Sequence, residues 1–111
     1  DKGRIKQVLY NLINNAFNHS SPGSSIKIAA FEKPDVVRVE ISDNGEGIPS
    51  EEIKFIWERY YKADNSAGRK RIGTGLGLAI VRSILETHMS NYGVESTLGE
   101  GTTFWFELRT L

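Results

Sequence analysis

The chain has 111 residues, 39% of them hydrophobic and 25% charged, with 14 basic residues balanced by 14 acidic ones. That length allows one domain with one modest core, and a formal charge of zero leaves no global field to attract nucleic acid or anionic lipid. The absence of cysteine excludes a disulfide framework and a thiolate metal site, and no apolar run approaches the roughly 18 residues a membrane span needs or reads as a signal peptide. No internal repeat or low-complexity segment is apparent, and the direct opening on a helical pattern is expected of a piece of a longer protein.

Ile5, Val8, Leu9, Leu12, Ala16 and Phe17 recur at helical spacing, so residues 2 to 18 are expected to form an amphipathic helix. The run SSPGSS at 20–25 ends it. Ile26, Ile28 and Ala30 alternate, KPD at 33–35 turns the chain, and Val37, Val39 and Ile41 alternate again, which predicts an antiparallel pair. DNGEGIP at 43–49 is a glycine-rich loop, after which Ser50 is placed to N-cap a short helix holding Ile53, Ile56, Trp57 and Tyr60. Residues 63–73 have no periodicity and are expected to be a mobile loop. From Gly75 onward Leu76, Ile80, Ile84 and Leu85 mark a second long helix. Tyr92, Val94 and Ser96 then alternate, LGEG at 98–101 turns, and Thr102, Phe104, Phe106 and Leu108 alternate. Two hairpins interleaved with helices predict an α+β two-layer sandwich with helices on one face of the sheet.

Four short constellations carry chemistry. Asn11, Asn14, Asn15 and Asn18 fall within one arc of the first helix, with Asn15 bordering its apolar face beside Val8. Neutral amides beside a core need a partner, and an amide oxygen is a hard ligand suited to Mg²⁺, which takes phosphates and water for its other ligands. The alternative is a solvated helix face. Asp43 ends an apolar strand, where a carboxylate can accept from an exocyclic amine, and Gly45 and Gly47 permit close approach to backbone; the alternative is a plain turn. GTGLGLAI at 73–80 places Gly73, Gly75 and Gly77 before a helix whose N-terminal N–H groups suit phosphate oxygens. GRKRIGT at 68–74 imitates a P-loop but carries Ile72 where the lysine belongs, and no strand precedes it. Lys62, Arg69, Lys70 and Arg71 are candidate phosphate contacts or simply solvated charge. Thr102 shares a face with Phe104 and Phe106, so its hydroxyl must find a partner. His19 and His88 end helices, where a structural role suits both.

Taken in order, NLINNA, DNGEGI, WERYYKAD, GTGLGLAI and GEGTTF resemble the N, G1, F, G2 and G3 boxes of the catalytic and ATP-binding domain of sensor histidine kinases, and the resemblance covers nearly the whole chain. It implies the Bergerat fold shared with DNA gyrase, heat-shock chaperone ATPases and mismatch-repair ATPases: a mixed sheet with helices on one face and a flexible ATP lid, here residues 63–73. The cofactors implied are ATP and Mg²⁺. Asn15 matches the family's Mg²⁺ ligand, Asn11 one turn earlier faces phosphate or metal-bound water, and Lys62 stands where the family has a basic residue at the phosphates. These three are the residues implied at the reacting phosphoryl group. Asp43 matches the residue bonded to the adenine amino group, and Thr102 its water-bridged helper. Gly45, Gly47 and Ile48 of the second box and Gly73, Thr74, Gly75, Leu76, Gly77 and Leu78 of the fourth complete the implied ATP site.

The departures are Asn18 where the family often has a basic residue, Trp57 and Tyr60 for phenylalanines, and HMSNYG at 88–93 for the commoner HGG run. The family pattern also has a strand just upstream of position 1. The implied partner is a histidine-containing dimerisation domain of the same parent protein, with a response regulator reached indirectly; no nucleic acid and no membrane contact by this domain are expected, and the parent is expected to be membrane-anchored with this domain in the cytoplasm. The chain itself shows no acceptor context, because His19 precedes Ser20 and His88 precedes Met89 rather than an acidic residue. Competing readings are an ATP-hydrolysing machine of the gyrase or chaperone kind, whose glutamate base is replaced here by Asn11, a serine kinase of the anti-sigma-factor type, and an interaction module that no longer binds ATP.

Overall fold

Two long helices lie across one face of a four-stranded sheet in the computed structural model, which describes residues 2–19, 23–58 and 77–109. The elements are α1 (Lys2–His19), β1 (Ile26–Glu32), β2 (Val36–Asp43), α2 (Ser50–Ile53), α3 (Gly77–Thr87), β3 (Tyr92–Thr97) and β4 (Gly101–Arg109). Val8, Leu12 and Ala16 recur every four residues on α1 and are 0%, 1% and 0% exposed, the buried stripe that helical periodicity demands. Val81, Ile84 and Leu85 form the matching stripe on α3. α1 packs on both α3 and β2.

The strand order is β1-β2-β4-β3. Both hairpins form as expected, and β2 and β4, the inner strands, pair along their whole length. Side chains alternate across a strand, so the register stacks cross-strand rows on the helix-covered face. Val39, Phe106 and Tyr92 make one row, Ile41, Phe104 and Val94 the next, and Asp43, Thr102 and Ser96 the last. Two rows are apolar and seal the core with Ile48 and Ile56; the last row is polar.

The α+β sandwich stands as expected, but the sheet is not mixed: all three pairings among the described strands are antiparallel. The reason is local, since β1–β2 and β3–β4 are hairpins and β4 docks against β2 in the antiparallel sense. Ile28 also departs from its alternation. It sits opposite Ile41, yet is 55% exposed while Ile41 is fully buried, because β1 is the edge strand and α1 lies mainly over β2. The helix expected after the glycine loop is only one turn long. Ser50 is its first residue rather than its cap; the N-cap is Pro49, at φ −58° and ψ 140° with no side-chain cap bond. The chain beyond it is anchored instead by Trp57, whose ring meets Tyr92 at 5.0 Å and Phe104 at 5.6 Å edge to face. Tyr60 and the expected lid at 63–73 lie outside the described residues.

Gly101 opens β4 at φ +122°, where an added Cβ would meet the Asp43 carbonyl and come within 2.8 Å of Asn44 Cα. Both obstacles are backbone and cannot swing away. Gly101→Ala is expected to destabilise the chain by about 2–4 kcal/mol, from backbone strain plus overpacking, read as a lower urea midpoint at unchanged m-value.

Candidate nucleotide-binding site

Asp43 closes β2 inside the polar row and is only 8% exposed. Its Oδ1 accepts the Gly45 N–H at 2.9 Å. Its Oδ2 is buried with no hydrogen-bond partner. A buried carboxylate oxygen without a donor is costly. Desolvation pushes the Asp43 carboxyl above its ordinary pKa of 3.8, and backbone bonds from Gly45 and Thr102 only partly oppose the rise. The arrangement presents a bare acceptor at the end of the sheet, suited to an incoming donor group.

The walls of this acceptor are held from two sides. Thr102, opposite Asp43 in register, is 6% exposed, and its hydroxyl lies 2.8 Å from Ser96 Oγ. Ser96 Oγ also accepts the Ile48 N–H at 2.7 Å and donates to the Gly101 carbonyl at 2.9 Å. The loop after Asp43 is further pinned by Gly99 N–H donating to Glu46 O at 2.9 Å and by Ser25 N–H donating to Asn44 Oδ1 at 3.2 Å. Gly47, at φ +82°, packs so closely on the Thr97–Leu98 backbone that a Cβ there would collide with the Thr97 carbonyl. The close approach expected at Gly47 is therefore made by the protein's own β3–β4 turn. Gly45 and Ile48 are buried in the same loop, Ile48 as part of the core.

At the other end, α1 and α3 meet. Asn11 Nδ2 makes a long contact, 3.5 Å, to the Gly77 carbonyl in the first turn of α3. Asn11 and Asn15 are half-buried, whereas Asn14 and Asn18 are exposed, so the stripe divides into an inner and an outer pair. Gly77 is exposed, an added Cβ there would meet none of the described residues, and Leu78 leans on the core. The first-turn N–H groups of a helix have no intrahelical acceptors and favour anions. Lys62, Gly73, Thr74, Gly75 and Leu76, together with Arg69 to Arg71, lie outside the described residues.

Among the described residues no group of three His, Cys, Asp or Glu side chains could hold a metal. His88 Nδ1 lies 2.8 Å from the Ile84 carbonyl, a bond that caps the end of α3 as a structural role requires. The residue passed over in the sequence is Ser96. It alternates with Tyr92 and Val94 on the covered face, so the reasoning that singled out Thr102 applies to it equally.

A profile of the family described as "Histidine kinase-, DNA gyrase B-, and HSP90-like ATPase" matches residues 1–111. The sensor protein IrlS of Burkholderia pseudomallei is 44% identical over 101 residues, which cover 91% of this chain and 22% of that protein; the chain thus spans about a fifth of that relative's length. Among solved structures, the nucleotide-free catalytic domain of histidine kinase ThkA superposes with a TM-score of 0.82 at 34% identity, over 98% of this chain and 69% of that one. Full-length ShkA in complex with AMPPNP gives a TM-score of 0.84 at 31% identity, over 96% of this chain and 21% of that one. The chain belongs to the histidine kinase-, DNA gyrase B- and HSP90-like ATPase family, as the catalytic ATP-binding domain of a sensor histidine kinase.

Proposed function

We propose that the domain binds Mg-ATP and presents its γ-phosphoryl group to a histidine on a separate dimerisation domain of the same parent protein, from which it passes to a response regulator. The observation that carries the reading is the buried, unpartnered Oδ2 of Asp43, an acceptor that the adenine amino group would satisfy. The polar row fixes the base; the meeting of α1 and α3 receives the phosphates. Asn15 would ligate the metal and Asn11 would face phosphate or metal-bound water, with Lys62 and the glycine turn from Gly73 to Gly77 closing on the phosphates. A magnesium ion, when bound, neutralises charge on the phosphate oxygens. The chain's own contribution is positioning and the exclusion of water. An amide has no basic site to take a proton from water, so Asn11 leaves hydrolysis without a base. Full-length ShkA, a fifth of which is similar to this chain, forms a complex with AMPPNP, which supports the nucleotide reading. Among the described residues no helix is long and apolar enough to cross a membrane; we place the domain on the cytoplasmic side of a membrane-anchored parent.

Asp43→Ala is expected to weaken ATP binding roughly 10- to 150-fold, the equivalent of losing one hydrogen bond to a charged acceptor. GTP should bind poorly to the unaltered chain because its 6-oxo group would meet Oδ2 acceptor to acceptor. Calorimetry returning equal ATP and GTP affinities would remove the adenine role.

Because burial raises the Asp43 carboxyl above 3.8, the folded state binds that proton more tightly than the unfolded chain. Its contribution to stability is most favourable below pH 3.8 and declines as pH rises through the folded-state value. Asp43→Asn keeps an oxygen for the Gly45 N–H and removes the charge. In the absence of nucleotide it is expected to melt at a higher temperature than the parent chain at pH 7, with the advantage vanishing towards pH 3, while ATP affinity falls. A variant that melts lower at pH 7 contradicts the desolvation cost.

The isolated chain is expected to bind Mg-ATP, release almost no phosphate and leave itself unlabelled by γ-labelled ATP. Adding a separately made dimerisation domain that carries the acceptor should restore labelling, on that partner. Asn15→Ala should abolish the labelling yet retain binding of metal-free nucleotide. Robust phosphate release or stable self-labelling by the chain alone would promote the hydrolase or serine-kinase readings.

A further inference from the structure

Helix α1 buries Val8, Leu12 and Ala16, but its two aromatic side chains are each 66% exposed, and neither Tyr10 nor Phe17 joins the core. At about 100° per residue both lie opposite the buried stripe. A single exposed apolar residue is ordinary; these two are in register. Gly3, Gln7, Tyr10, Asn14 and Phe17 follow one another at intervals of four, three, four and three residues, and all five are exposed. That is the spacing of a seam along which a second helix packs. Polar residues in a seam weaken it, so with Gln7 and Asn14 present the contact is reversible and depends on the two aromatic anchors.

Two further observations say what lies on the seam. On the flank between it and the buried stripe stand Asn11 and Asn15, both half-buried, the amides proposed above for phosphate and metal. Asn11 Nδ2 reaches the Gly77 carbonyl of α3, so this flank is the one turned to the proposed phosphate end. A helix packed on the seam at the usual spacing of about 8–10 Å between axes runs alongside that flank. The second observation is charge. α1 has no acidic residue, in its first turn or beyond, and Arg4 and Lys6 are exposed near its start. Positive charge at a helix N-terminus opposes the helix dipole, so it brings α1 no gain, whereas acidic groups on a partner would meet it favourably.

We propose that the outward face of α1 docks the helix of the dimerisation domain that carries the acceptor histidine, with Tyr10 and Phe17 as anchors and with acidic residues of that helix facing Arg4 and Lys6. The proposal rests on the reading that the acceptor lies on a separate domain, and it adds the surface by which that domain reaches the nucleotide. A second copy of this chain, seam against seam, fits less well, because α1 offers no acidic group to meet Arg4 and Lys6.

The test uses the full-length parent kinase with γ-labelled ATP, and calorimetry on the present chain reads nucleotide affinity separately. Tyr10→Ser combined with Phe17→Ser should slow histidine labelling at saturating Mg-ATP roughly tenfold or more, the scale of losing buried interface anchors. The ATP affinity of the chain carrying both changes should stay within about twofold of the unaltered value, which also shows that it folds. Phe17→Leu alone keeps an apolar anchor and should label within about threefold of the parent rate. Lys6→Glu should slow labelling at low salt and lose much of that effect at high salt, where charges are screened; it carries the test if the double variant does not fold. A folded double variant that labels at the parent rate overturns the proposal, as does Lys6→Glu without effect at low salt. Sedimentation in which the unaltered chain dimerises and Phe17→Ser does not would assign the face to a second copy and overturn it too. Failure of the unaltered chain to bind ATP, or of the parent to label a histidine, overturns instead the reading beneath it.

Discussion

Antiparallel pairing of β2 with β4 sets Asp43 opposite Thr102, and the surrounding chain is arranged around that buried end. The apolar rows beneath it are ordinary core. Phe104 and Phe106, 1% and 0% exposed, hold the strands against α1 and α3 by burial of large side chains. The last row cannot be sealed in the same way, because it carries a carboxylate and two hydroxyls. It is closed by backbone instead. The loop after Asp43 and the turn between β3 and β4 are bonded to each other through Glu46 and Gly99 and through Ile48 and Ser96. Their contact is close enough that Gly47 and Gly101 admit no side chain. Among the buried side-chain polar atoms of the described residues, Asp43 Oδ2 is the one left without a partner.

Most of this was legible in the sequence where periodicity has one answer. The stripe Val8–Leu12–Ala16 and the alternating Thr102–Phe104–Phe106 allow only a helix and a strand that face one core. Legibility fails where a tertiary neighbour decides. Nothing in IKIAA says that β1 lies at the edge, so Ile28 is expected inside and is found exposed. Ser50 has the chemistry of a cap, but Pro49 precedes it with a fixed φ and takes the position. Gly47 is expected to admit a close approach to its backbone, and the structure shows one neighbour that the sequence does not name, the Thr97 backbone, 50 residues along the chain, in the place a Cβ would take. Such contacts have no local signature. Ser96 is a different case, since alternation placed its hydroxyl on the buried face and the demand for a partner was readable there.

The asparagine stripe illustrates how far composition reaches towards chemistry. Spacing puts all four amides in one arc, but only Asn11 and Asn15 are half-buried, and Asn11 reaches the Gly77 carbonyl of α3. A carboxylate in either place would bring negative charge towards the proposed phosphate end and raise the electrostatic cost of binding; a lysine would add charge but could not ligate a metal. Neutral amides satisfy both conditions, and they exclude the base that hydrolysis needs. The same amides that make α1 a weaker helix former therefore suit the proposed role, in which the nucleotide is held for an external acceptor.

The two ends of the site make opposite demands on the fold. Where α1 meets α3, Gly77 is exposed and an added Cβ there would meet none of the described residues. At the polar row the carboxylate is already stripped of water before any ligand arrives, so its desolvation is charged to the stability of the empty fold rather than to binding. For the proposed nucleotide, a donor entering the row would give the bare Oδ2 a hydrogen bond it otherwise lacks. The backbone clamps at Gly47 and Gly101 and the three bonds at Ser96 hold the loop after Asp43 against the β3–β4 turn, and so keep in place a fold in which one carboxylate oxygen is buried with no partner.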